Sequence, residues 1–177
     1  MTRRPRRNHT PAFNREMLLR LSICLTFVVY AAKPFLQTQK PDEAFVAAIK
    51  AASMGAPTLG VIGSDIAAAH PLARMIGARF LSVNNSDWLG ALAFVLGQEE
   101  AEKGDASNAV HYQKQADAYL DTKYAEFVSF DYDLIVVQRA ESWTDHVLGQ
   151  ARFAALLSAY HPIAKDERFT VYGRSVP

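Results

Sequence analysis

From residue 41 onward the chain alternates between two hydrophobic patterns, apolar residues at helical spacing and short unbroken aliphatic blocks. Phe45, Val46, Ile49 and Met54 form one helical stripe behind Pro41-Asp42-Glu43. Proline is tolerated in a first turn, and acids suit the positive end of a helix. A helix is therefore predicted from there to Gly55. Thr58-Leu59-Gly60-Val61-Ile62, between Pro57 and Gly63, has the pattern of a buried parallel strand. Ser64 or Asp65 is placed to cap a helix over 66–76, and Gly77 stops it. Residues 78–83 read as the next strand, so 57–83 make one βαβ unit.

The alternation continues. Asn84-Asn85-Ser86-Asp87 is a turn before a helix over 88–103 that is apolar first and charged later. After Gly104-Asp105 comes a longer helix, 108–130, with Val110, Ala116, Tyr119, Leu120 and Phe127 expected inside and Lys114, Asp117, Asp121 and Lys123 outside. Asp133 leads Leu-Ile-Val-Val-Gln, whose four consecutive large aliphatics need both sheet faces covered. Residues 143–160 are helical in pattern, with Phe153, Leu156 and Leu157 inward. Residues 161–164 and 168–174 flank Lys165-Asp166-Glu167 and suit an antiparallel hairpin.

Strands alternating with helices predict an α/β protein: a Rossmann-like three-layer sandwich whose mostly parallel sheet, in the order 2-1-3-4-5, ends in an antiparallel hairpin. Ligands of such sheets lie beyond the carboxyl ends of the strands where the winding reverses, here between the first and third strands. That rule selects Gly63, Ser64, Asp65, Gln138 and Arg139 as candidate ligand-binding residues.

The amino-terminal forty residues follow a different pattern. A basic arm (1–16) precedes an apolar stretch (17–36), a linker (37–40) and the α/β domain (41–177). Residues 21–32 hold no charge, and if Arg20 and Lys33 reach toward headgroups, 17–36 makes a helix about 30 Å long, a bilayer core's width. A membrane anchor is the leading reading, because no charge marks a solvated side. Two others stay open. The stretch has the length of a signal peptide, with Val29-Tyr30-Ala31 at a cleavage position, and it also suits a core helix of a cytosolic protein. Cys24 follows Ile23, where a lipid attachment site wants a small residue, and the arginine pairs lack a twin-arginine context.

Charge and composition narrow the function. The 177 residues suit one domain, half of them are apolar, and a single cysteine excludes both an internal disulfide framework and a cysteine-rich zinc module. The first twenty residues carry a net charge of +5 and the remainder −4. Positive charge confined to an arm argues against nucleic-acid binding, and the positive-inside rule puts the arm in the cytoplasm and the body across the membrane. Gly60 to Asp65 comes nearest to a phosphate loop, yet it lacks both the G-x-G-x-x-G fingerprint and a following Lys-Ser/Thr pair. Ser64 lacks a G-x-S-x-G elbow, and His70, His111, His146 and His161 are too widely spaced for a metal motif. No catalytic residue, metal or cofactor is assigned. Arg79, Arg139, Arg152 and Arg174 are candidates to gather on an anion, and Trp88 and Trp143 fit core anchors better than sugar platforms.

One resemblance spans residues 41–174. Gly63-Ser64, Pro71, Arg79-Phe80, Trp88, Asp133 to Val137, Arg152-Phe153, Tyr160 and Phe169 to Arg174 together resemble the carboxyl-terminal extracytoplasmic α/β domain of bacterial polytopic glycosyltransferase-like membrane proteins that use polyprenyl-phosphate sugars. Such enzymes activate the acceptor with an acid in an early loop between membrane helices, and this chain has no such loop. The resemblance therefore implies a non-catalytic domain at the bacterial inner membrane, periplasmic or extracellular, binding a glycan, a lipid-linked sugar or a protein partner. As part of a larger protein it would belong to a glycosyltransferase. The alternatives are a small cytosolic nucleotide- or phosphoester-binding α/β enzyme using the Gly63-Ser64-Asp65 turn, and an interaction module docking through 108–130.

Overall fold

The computed structural model describes residues 41–174 apart from 54, 66–68, 83 and 85. The arm, the apolar stretch 17–36 and the linker lie outside the described residues, as does Met54 of the first helical stripe. Eleven elements follow one another: α1 (Glu43–Ala52), β1 (Thr58–Ile62), α2 (Ala69–Ile76), β2 (Arg79–Phe80), α3 (Trp88–Glu102), α4 (Ala106–Phe130), β3 (Leu134–Gln138), α5 (Ser142–Leu148), α6 (Ala151–Leu157), β4 (Tyr160–Lys165) and β5 (Phe169–Arg174). No helix among the described residues is long and apolar enough to cross a membrane.

The five strands form one mixed sheet in the order β2-β1-β3-β5-β4. The first three positions agree with the expected 2-1-3, but the last two are exchanged. The cause is in the side chains. β5 alternates buried and open positions, with Phe169, Val171 and Gly173 inward, and it takes the interior slot antiparallel to β3. β4 carries Pro162, which has no ladder donor, and ends in exposed Lys165, so it takes the edge. The sheet is thus parallel from β2 to β3 and antiparallel beyond, rather than mostly parallel.

Alternation along the central strands divides the interior in two. Leu59, Val61, Leu134 and Val136 face α1 and α2, while Ile62, Ile135 and Val137 face α3 to α6. Helices therefore cover both sheet faces. Gly60 points to the second side, where a Cβ would stand 2.6 Å from the ring of Tyr132. The starts of β1 and β3 are locked together: Asp133 accepts from the Thr58 amide at 2.7 Å and hydroxyl at 2.8 Å, and its own amide donates to Thr58 Oγ1 at 2.9 Å.

Four local expectations change. The helix over 143–160 is two helices, α5 and α6, separated at Gly149-Gln150, and the strand over 78–83 shortens to Arg79–Phe80. Val110 is exposed rather than inside, whereas Lys123, expected in water, is only 2% exposed.

Candidate functional site

β1 and β3 run side by side and finish together, Ile62 opposite Val137. Beyond them the chain turns at Gly63, whose φ of +152° belongs to glycine. A Cβ there would meet that of Gln138 at 2.5 Å. This turn is the place the strand-order rule selects, and the three residues Gly63, Ser64 and Asp65 are each gripped through the backbone amide.

Asp87, fully buried, holds the first. Its Oδ2 accepts from the Gly63 amide at 3.0 Å, and its own amide donates to the Gly63 carbonyl at 2.8 Å. The other oxygen, Oδ1, forms a buried ion pair with Lys123 Nζ at 2.6 Å and accepts from the Tyr119 hydroxyl at 3.0 Å. Burial, followed by the nearby Asp87 charge, pushes the Tyr119 phenol above its ordinary value, so it stays neutral and donates. Glu141 holds the second. Its carboxylate accepts from the Ser64 amide at 3.2 Å, from the Ser64 hydroxyl, and from the Thr144 hydroxyl at 2.7 Å. Gln138 holds the third through Oε1, 2.9 Å from the Asp65 amide, and the Asp65 carboxylate pairs with Arg168.

Four of the five expected residues, Gly63, Ser64, Asp65 and Gln138, thus meet at one turn. Arg139 serves the neighbouring one: its amide donates to the Arg168 carbonyl at 2.7 Å and its guanidinium to the Asp166 carbonyl at 2.6 Å. The Ser64 hydroxyl donates to Glu141 and the Asp65 carboxylate pairs with Arg168, while the first turn that Ser64 or Asp65 was expected to cap, 66–68, lies outside the described residues. Sequence reasoning missed Asp87, Tyr119, Lys123, Glu141, Thr144 and Arg168. Asp87 was visible only as a turn residue. Glu141 had a faint signal in standing three residues past the β3 block, where Ala140 with φ +53° turns the chain back over the β1 loop.

Three successive amides after a strand ordinarily make a cradle for an anion. Here each already has a protein acceptor, so the turn presents carboxylate oxygens and one guanidinium instead. Ser64 has a carboxylate partner, as a nucleophile would, but its amide is committed to the same Glu141 and gives no oxyanion donor.

The other candidates disperse. Arg152 pairs with Asp121 on α4, and Arg174 pairs with Asp131 just after α4 and ahead of β3, the opposite end of that strand from Arg139. His70 packs against Phe80, His111 contacts Gln115, and His146 stacks on Phe94 at 4.4 Å. Among the described residues no three His, Cys, Asp or Glu side chains are grouped to hold a metal ion. Trp143 is a core anchor, 1% exposed, but Trp88 is 46% exposed. No family model matches the chain, and neither a curated protein nor a solved structure matches it.

Proposed function

We propose that this chain is a membrane-tethered, extracytoplasmic α/β domain without catalysis of its own, akin to the tail of a lipid-linked-sugar glycosyltransferase, which binds a hydroxyl-rich glycan at the turn after β1. The tether rests on the uncharged stretch 21–32 and the arginines before it, and the kinship on the composite of residues from Gly63-Ser64 to Phe169–Arg174. The ligand class rests on one observation: the amides of Gly63, Ser64 and Asp65 are all taken by Asp87, Glu141 and Gln138. A phosphate at a strand-to-helix turn is ordinarily held by such amides. Sugar hydroxyls donate as readily as they accept, so they suit the carboxylate of Glu141 and the guanidinium donors of Arg168 beside the turn.

Thermal-shift titration of the full chain with neutral oligosaccharides, alongside ATP and inorganic phosphate, tests the reading. An oligosaccharide is expected to raise the melting temperature, and Glu141→Ala or Asp65→Ala to remove the rise. Stabilisation by ATP or phosphate, lost in Ser64→Ala, would instead assign the turn to a phosphoester-binding enzyme. Protease added outside the cytoplasmic membrane is expected to degrade the body; an intact, soluble cytoplasmic chain would reject the tether.

A further inference from the structure

The helix α3 is inverted relative to an ordinary surface helix. No charge occurs over residues 88–98, and the side turned to the core is the small one: Gly90, Ala91, Ala93, Phe94 and Gly97 are buried. A Cβ on Gly90 would meet Tyr119 at 2.5 Å and Trp143 at 2.7 Å, so α3 lies close against its neighbours. Four large residues face out, while Phe94 is buried. Trp88, Leu89, Leu92 and Val95 are 46, 50, 48 and 38% exposed, with Trp88, Leu92 and Val95 on one stripe at four- and three-residue spacing. A helix apolar on every side belongs in an apolar setting.

We infer that the stripe Trp88, Leu89, Leu92 and Val95 rests on a lipid bilayer surface. Three observations select lipid. The patch is on the order of a few hundred Å², well short of the roughly 800 Å² that each partner of a stable dimer covers. Apart from the Trp88 indole N–H it offers no hydrogen-bonding side chain, whereas a protein interface carries about one hydrogen bond per 100–200 Å² and hydrocarbon asks for none. It is also continuous with the candidate site: Trp88 follows Asp87, which bonds Gly63 twice. A tryptophan at headgroup depth therefore brings the β1 turn to the level where the sugar of a lipid-linked glycan lies. Charge sets the tilt rather than the attachment. Glu99, Glu100 and Glu102 crowd the far end of α3 and stay in water, leaving the Trp88 end as the deeper one.

The inference rests on the tethered reading and fails separately from it. The chain has two tryptophans, Trp88 and Trp143, so the emission that disappears on Trp88→Phe reports Trp88. The full chain is reconstituted into phosphatidylcholine liposomes, with and without lipid brominated on an acyl chain, and floated on a density gradient. We expect the Trp88 emission to lose on the order of half its intensity in brominated liposomes, for a ring about 5–10 Å into the boundary. Leu92→Glu is expected to float undiminished but to lose that quenching. Flotation with an unquenched Trp88 overturns the surface contact and leaves the tether standing. Failure to float overturns both.

Discussion

Lys123 carries its ammonium where water does not reach, 2% exposed, with Asp87 Oδ1 at 2.6 Å and the Phe127 ring centroid at 5.3 Å. Its ion pair with Asp87 ties that charge to the turn, because the same Asp87 holds the Gly63 amide. Breaking a buried pair from one side leaves an uncompensated charge and costs about 3–5 kcal/mol. Lys123→Met is therefore expected to lower unfolding free energy by that order in urea titrations. Lys123→Met combined with Asp87→Asn, which leaves no charge and still offers an oxygen to Gly63, is expected to recover part of it. A single variant losing less than about 1 kcal/mol, or a double variant losing the full sum, would show that the pair does not hold the turn. Nothing along α4 marks Lys123 as different from Lys114. The helical pattern put it among charged residues, and only the packing of α3 across it explains why it is inside.

Between elements, legibility in the sequence followed how local the cause was. β1 and β3 were readable because a fully buried strand is apolar at every position, and the α3–α4 break was readable from Gly104-Asp105, where Gly104 has φ +82° and the Asp105 carboxylate accepts from the Asn108 amide at 3.1 Å. The exchange of β4 and β5 was not, because both have hairpin patterns and only competition for the slot beside β3 separates them. The candidate turn was located by strand order, but its partners come from the residue before α3, from α4, the β3–α5 connection and the β4–β5 turn, contacts of long sequence separation that no spacing announces. Gly60 shows how a strand position depends on such contacts: it lies in the middle of β1 only because the Tyr132 ring occupies the place of its side chain. Tyr132 is fully buried, with Phe127 at 5.0 Å, so the ring has little room to retreat. Gly60→Ala is expected to destabilise by about 1–3 kcal/mol, the range for overpacking, measured as a shift in the denaturation midpoint at unchanged slope. An unchanged midpoint would mean that the ring moves freely and that this part of the core is not tightly filled.

At the scale of the whole molecule, several phenols tie the helical layer to the sheet while staying neutral. Tyr119 donates to Asp87, Tyr132 to Glu126 at 2.8 Å, and Tyr160 to the Tyr132 carbonyl at 2.6 Å. Burial is the first cause raising each of the three above the ordinary phenol value, reinforced for Tyr119 and Tyr132 by the carboxylates that accept from them. The consequence for stability has a definite sign. Below about pH 10 the phenols are protonated in both folded and unfolded chains and contribute no pH dependence. Above it the unfolded chain releases protons that the folded chain keeps, so unfolding becomes easier as pH rises, by at most about 1.4 kcal/mol per pH unit for each such proton. The protein is therefore expected to lose stability on the alkaline side, with the loss starting near the unfolded phenol value and continuing until the folded phenols ionise. Unfolding free energies from urea titrations between pH 8 and 11, conditions chosen to bracket that value, should fall increasingly steeply above about pH 10. Tyr119→Phe, whatever it costs at pH 8 through the lost bond to Asp87, should make the fall shallower, because one of the retained protons is gone. A Tyr119→Phe profile parallel to the parent's would mean that Tyr119 ionises as easily in the folded chain as in the unfolded one, and would contradict a phenol held neutral against the buried Asp87.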